Sequence, residues 1–145
     1  MKLFATNKLL KKELRKEICS VSKTFGVKRV VFNNKSKVLD GTYSADSQII
    51  FLDNKQNKKD MLLTFFHELA HHIAVKRRKW LVYHYNPSTP CLSAVKKFNI
   101  ENGIDKMAKK LWNKYVDVKA WGKYSYGYPK TQKREMVKWF AATMF

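Results

Sequence analysis

Apolar residues recur along this chain with two distinct periods, and the switches between them lay out its elements. Leu10, Leu14, Ile18, Val21 and Phe25 are spaced by three and four, one face of a helix over residues 7–25, with Gly26 where a left-handed C-cap belongs. Val27 to Asn33 and Thr42 to Asp53 are rich in Val, Ile, Phe and Tyr, with Asn33, Asn34, Asp40 and Gly41 as turn residues between them. They predict two or three short strands, with a hairpin turn at Ala45, Asp46 and Ser47. Asn57, followed by Asp60, is the expected N-cap of the best-marked helix, whose apolar residues run from Met61 to Val75. Lys76, Arg77, Arg78 and Lys79 then suit the negative end of its dipole.

Pro87 and Pro90, among Asn86, Ser88 and Thr89, predict a loop over 80–96. Ile100, Ile104, Met107, Leu111 and Tyr115 restore helical spacing, and Met136, Val137, Phe140 and Ala141 mark a last helix over 131–144. Residues 119–130, rich in Gly and Tyr, are expected to be irregular. The fold class is therefore α+β: an N-terminal helix, a small three-stranded sheet, a central helix and C-terminal helices. The 145 residues, without repeats or linker composition, suit one domain over 1–145, since domains hold roughly 100–200 residues.

The central helix contains His67-Glu68-Leu69-Ala70-His71, an H-E-x-x-H pattern. Residues four apart lie one turn apart on one helix face, so both imidazoles can reach one zinc ion. Glu68, rotated to the side, can serve a water at an open coordination position as general base and then acid, which is the chemistry of amide hydrolysis. Leu62, Leu63, Phe66, Leu69, Ala70 and Ile73 would bury the helix, which makes isolated imidazoles costly unless paired or metal-bound. His72 points about 100° away from His71 and is expected to be solvated or to support a ligand rather than to be one.

A catalytic zinc needs a third protein ligand, and two candidates stay open. Glu101 and Asp105 share a helix face at i, i+4, so Glu101 can bind the metal while Asp105 accepts a hydrogen bond from the far nitrogen of a ligand histidine. The rival is His84, thirteen residues after His71 in the proline-containing loop. Tyr83, His84 or Tyr85 are candidate oxyanion-stabilising groups if that loop folds over the metal. The metzincin pattern is excluded, because Ala74 and Arg77 stand where it requires glycine and histidine.

Phe66-His67-Glu68-Leu69-Ala70-His71 resembles the active-site helix of zincin metallopeptidases. The preceding Gly41-Thr42-Tyr43 and Ile49-Ile50-Phe51-Leu52 resemble the small sheet of minimal zincins. Glu101 to Leu111 is similar to the E-x-x-A-[ND]-x-x-A-x-x-L segment of ImmA/IrrE-like peptidases and related small phage proteins. Glu101, Asp105, Ala108 and Leu111 stand in matching places, and Ile104 replaces the usual Ala. This resemblance, over residues 25–115, implies a minimal zincin-like fold, zinc as cofactor, Glu101 as third ligand and a zinc metallopeptidase acting on a protein or peptide. A second resemblance, to SprT-like peptidases, implies His84 as third ligand. Substrate is expected to add as a strand to an exposed sheet edge, for which Ile49 to Leu52 is the candidate.

Charge adds a second function class. Thirty Lys and Arg against eleven Asp and Glu give +19, and the pI is near 10.0. DNA or another polyanion is therefore a candidate partner. From Lys106 onward ten Lys or Arg face only Asp117 and Glu135. Trp121, Tyr124, Tyr126 and Tyr128 are candidates to stack on unpaired bases, whereas Trp112, Tyr115 and Trp139 are expected in the core. The alternative to a peptidase is thus a basic nucleic-acid-binding or virion-associated protein whose zincin site is structural or vestigial. No apolar run approaches the roughly 18 residues of a membrane span, and no signal-peptide pattern opens the chain. Cys19 and Cys91 are expected as reduced thiols. The setting implied is a cytoplasm, a host's if the chain is viral.

Overall fold

The computed structural model describes residues 2–33, 40–77 and 94–126, from the backbone alone over 94–100. Helix α1 spans Lys11–Thr24. Glu13 accepts a hydrogen bond at 3.1 Å from the amide of Leu10, an apolar N-cap with no oxygen of its own to offer. At the other end Gly26 takes φ +81°, and the amides of Gly26 and Val27 donate to the carbonyls of Lys23 and Ser22, closing the helix as a Schellman turn. The helix begins four residues later than its apolar spacing predicts. The reason is that the carbonyls of Asn7 and Leu9 accept from the Lys58 ammonium, while the Asn7 amide donates to the Ala120 carbonyl. The segment is spent on tertiary bonds.

Strands β1 (Arg29–Asn33), β2 (Gly41–Ser44) and β3 (Ile49–Asp53) form one sheet in the order β1-β3-β2. β1 runs parallel to β3 with Arg29 opposite Ile49, and β2 runs antiparallel with Gly41 opposite Leu52. The hairpin turn falls at 45–48, as its polar residues predict. Ile49 to Leu52 is not an edge. The most apolar of the three segments takes the centre, where both sides of its ladder are paired and Ile50 and Leu52 are buried.

Helix α2 (Lys58–Arg77) starts where Asn57 Oδ1 accepts from the Asp60 amide at 2.8 Å. Every residue from Met61 to His72 is buried, because α2 packs on β2 and β3, on α1 and on helix α3 (Ala94–Tyr115). Gly41 lets β2 approach α2 closely, since a Cβ there would stand 2.5 Å from Thr64 Cγ2 and 2.9 Å from the Phe51 carbonyl. Helix α3 begins at Ala94, inside the predicted loop, for after Pro90 no further proline interrupts the chain before the helix ends at Tyr115. Its deepest line is Glu101, Ile104, Ala108 and Trp112, with Met107, Leu111 and Tyr115 flanking it half-buried.

Phe4 donates to the Tyr115 carbonyl and accepts from the Asp117 amide, clamping the N-terminus across the end of α3. Its ring meets Phe66, which meets Trp112, both edge-on at 5.8 Å. Helix α4 (Val118–Trp121) is capped by Asp117 and extends into the stretch predicted irregular; residues 122–126 are irregular as expected. The predicted last helix, the remaining loop over 80–93, Cys91, Tyr128 and Trp139 lie outside the described residues. Among the described residues, no helix is long and apolar enough to cross a membrane.

Candidate metal centre

Two helices build the site. α2 supplies His67, Glu68 and His71, and α3 supplies Glu101 and Asp105. Ala70, Ala74, Ile104 and Ala108 form the buried seam between them, and three small side chains in four let the helices come close. The Glu101 carboxylate then spans both imidazoles: Oε2 lies 3.0 Å from His67 Nε2 and Oε1 lies 3.2 Å from His71 Nε2. His67 and Glu101 are fully enclosed and His71 is 7% exposed.

The three ligand atoms lie within 4.8 Å of one another. Zinc bonds of about 2.0–2.2 Å at tetrahedral angles put neighbouring ligand atoms about 3.3–3.5 Å apart. The two Glu101–imidazole contacts fall within a few tenths of an ångström of that spacing. Both Glu101 oxygens are buried without a hydrogen bond from the described residues, despite the short approaches of the imidazoles. Among the described residues only the two imidazoles approach this sealed carboxylate in the metal-free chain, and a divalent cation held by all three groups would satisfy it. Two imidazoles and one carboxylate fit zinc.

Behind the ligands stands a chain of hydrogen bonds. Asp105 Oδ1 lies 3.0 Å from His67 Nδ1 and accepts from the Tyr124 hydroxyl at 2.9 Å. A carboxylate there holds the His67 proton on Nδ1, so Nε2, which faces Glu101, is the nitrogen that would offer its lone pair to a metal. Tyr126 covers the same imidazole, its ring stacked at 4.2 Å and 5°.

Electrostatics in the metal-free chain follow from this crowding. Burial alone would lower the His67 pKa, but Asp105, Glu101 and the charge of Glu68 outweigh it and hold it at about 10. Burial would raise the Glu101 pKa, yet His71 and His67 bring it down to about 2. Glu68 is raised, with burial dominant and the two imidazoles offsetting only part of it. Tyr124 and Tyr126 are both raised, first by burial and then by neighbouring carboxylates, of which Asp105 acts most on Tyr124 and Glu68 on Tyr126.

His67, Glu68, His71, Glu101 and Asp105 therefore come together, whereas His84, with Tyr83 and Tyr85, lies outside the described residues. His72 differs from its expectation of solvation or ligand support. It is buried on another side of α2, donates from Nε2 to the Phe25 carbonyl and receives the Tyr43 hydroxyl at Nδ1, tying α2 to α1 and β2. Tyr124 and Tyr126 are not surfaces for stacking bases, since both are turned onto the site, and Trp121 is core. The chain matches no protein-family model, no curated protein and no solved structure.

Proposed function

We propose that this chain is a zinc-dependent metallopeptidase with His67, His71 and Glu101 as metal ligands and Glu68 as the catalytic carboxylate. The observation that carries this reading is the buried Glu101 carboxylate spanning two imidazoles one helical turn apart, with Glu68 between them in sequence. Zinc, when bound, supplies Lewis acidity toward a carbonyl oxygen and lowers the pKa of water.

Each remaining step belongs to a side chain. Glu68 takes a proton at its carboxylate and returns it to the departing amine, and burial, which raises its pKa, favours the protonated form it needs for the second step. Asp105 fixes the tautomer of His67, and Tyr124 fixes Asp105. Tyr126 keeps water from one face of that ring. A peptide adding as a strand has β1 and β2 as edges, and β2 is the one that packs on α2. The choice of Glu101 favours the ImmA/IrrE-like over the SprT-like resemblance. A cytoplasmic setting belongs to this reading, with Cys19 a free thiol. A purely structural metal site would not need Glu68, whose burial costs stability.

Metal content by mass spectrometry on protein without a metal-binding tag tests the proposal. About one zinc in the wild type, lost in Glu101→Ala and kept in His84→Ala, is expected. Loss in His84→Ala alone would move the third ligand to that residue, and no zinc after supplementation would overturn the reading.

A further inference from the structure

Helix α3 turns a face of opposite character to solvent. Its exposed positions over the described side chains include Asn102, Gly103, Lys106, Lys109, Lys110, Asn113 and Lys114. At about 100° per residue these fall within an arc of roughly 140°, opposite the line of Glu101, Ile104, Ala108 and Trp112. The stripe holds four cations, two amides and a glycine, with no acid and no large apolar side chain.

The acids on or beside α3 are committed elsewhere. Glu101 lies against the imidazoles, Asp105 is turned to His67 and Tyr124, and Asp117 caps α4. Among the described residues every salt bridge is at those imidazoles, so none of the four lysines has one. Helix α1 shows the contrast, since it exposes Glu13 and Glu17 among its cations. Lys106 with Lys109 and Lys110, and Lys110 with Lys114, are like charges at i, i+3 and i, i+4, an arrangement that works against the helix itself. Gly103 adds to this, because a Cβ there would meet nothing within 4 Å and alanine would serve the helix better.

We propose that the solvent face of α3 binds the sugar-phosphate backbone of double-stranded DNA without regard to sequence. Lysines neutralise phosphates, the Asn102 and Asn113 amides donate to phosphate oxygens, and Gly103 lets the duplex approach the helix backbone. Duplex rather than single strand is the form this face suits, since among the described residues Trp112, Trp121, Tyr124 and Tyr126 are engaged inside the fold and leave the α3 face without a stacking platform. The inference is independent of peptidase activity, since it uses none of the site residues.

The test is fluorescence anisotropy of a labelled duplex of arbitrary sequence with the full chain, titrated between about 50 and about 200 mM salt. The logarithm of affinity should fall linearly with the logarithm of salt, by about 0.9 per phosphate neutralised. The combined variant Lys106→Gln, Lys109→Gln, Lys110→Gln and Lys114→Gln should flatten that slope by about 3 to 4, with its circular dichroism unchanged. Lys12→Gln with Lys16→Gln on α1 should leave the slope as it was. Three outcomes would overturn the proposal: no binding by the wild type at the lowest salt, an unchanged slope in the α3 variant, or tighter binding of single strand than of duplex. Displacement of the duplex by polyglutamate at equal charge concentration would overturn it as well, in favour of an acidic protein partner.

Discussion

A carboxylate that is sealed from water and lies between two imidazoles has its protonation set by its neighbours, and the neighbours have theirs set by it. Glu68 and Asp105 act on this pair from different sides, so their replacements separate chemistry from metal binding. Glu68→Gln keeps the shape and removes the charge. Cleavage of a peptide substrate should fall about 10²- to 10⁴-fold while zinc content stays at the wild-type level. Because the folded pKa of Glu68 is raised above its ordinary 4.5, the native state holds its proton to higher pH than the unfolded state, and stability declines as pH rises through that range. Gln has nothing to ionise, so the metal-free variant should melt above the metal-free wild type at pH 7; a lower melting temperature would contradict the buried charge. Asp105→Ala should instead lower zinc affinity about 10- to 100-fold by chelator competition, with Tyr124→Phe in the same direction and smaller. At this scale the sequence was informative where the geometry is local. His67, Glu68 and His71 sit on one helix, so spacing alone relates them. Glu101 and His84 are separated from that helix by a chain path whose course no spacing rule predicts, which left both open. Tyr124 and Tyr126 had their ring chemistry recognised and their direction missed, because which way a tyrosine faces is decided by the helix it packs on.

Periodicity predicted the elements of this chain better than it predicted their neighbours. The apolar run Ile49 to Leu52 identifies a strand but not its place: expected at an exposed edge, β3 lies in the middle of the sheet, because strand order is a pairing choice made across it. His72 is another case. Helical rotation placed it away from the metal, but only the packing of β2 and the end of α1 determines that the space it enters is enclosed. Two glycines show how element and environment combine. Gly103→Ala fills open space on an exposed helix face and should stabilise the protein by about 1 kcal/mol. That corresponds to a melting temperature higher by about 2 to 5 °C for a chain of this size. Gly41→Ala forces a methyl against Thr64 Cγ2 and the Phe51 carbonyl where β2 meets α2 and should cost about 1 to 3 kcal/mol. Thermal melts of both variants test the pair, and equal shifts of one sign would contradict the packing of the sheet on α2.

For the whole molecule, the charge of +19 was visible in composition, while its partition was not. Lysines that share a face are known only once helix boundaries and the buried line of α3 are known. The same partition governs the response to acid. His72 has its pKa lowered by burial, so the unfolded chain takes up its proton near 6.5 before the native chain does, and stability is lost as pH falls below that value. Glu101 has its pKa lowered to about 2 in the metal-free protein, so its contribution is complete above 4.5 and is lost as pH falls from there toward 2. Protonating carboxylates also removes negative charge from a molecule already far positive, and repulsion then favours the expanded state. Glu68 opposes this trend, since its raised pKa stabilises the native state as pH falls, so the metal-free Glu68→Gln protein is the one expected to melt progressively lower between pH 7 and pH 4, and added salt should recover part of the loss by screening the lysines. His72→Gln should remove the early part of the decline, since it has no proton to gain, at the expense of a lower melting temperature at pH 7 where the Tyr43 and Phe25 hydrogen bonds are disturbed. A Glu68→Gln protein whose melting temperature does not change between pH 7 and pH 5 would contradict a neutral, enclosed His72, and a decline that salt leaves untouched would assign the loss to the buried groups alone.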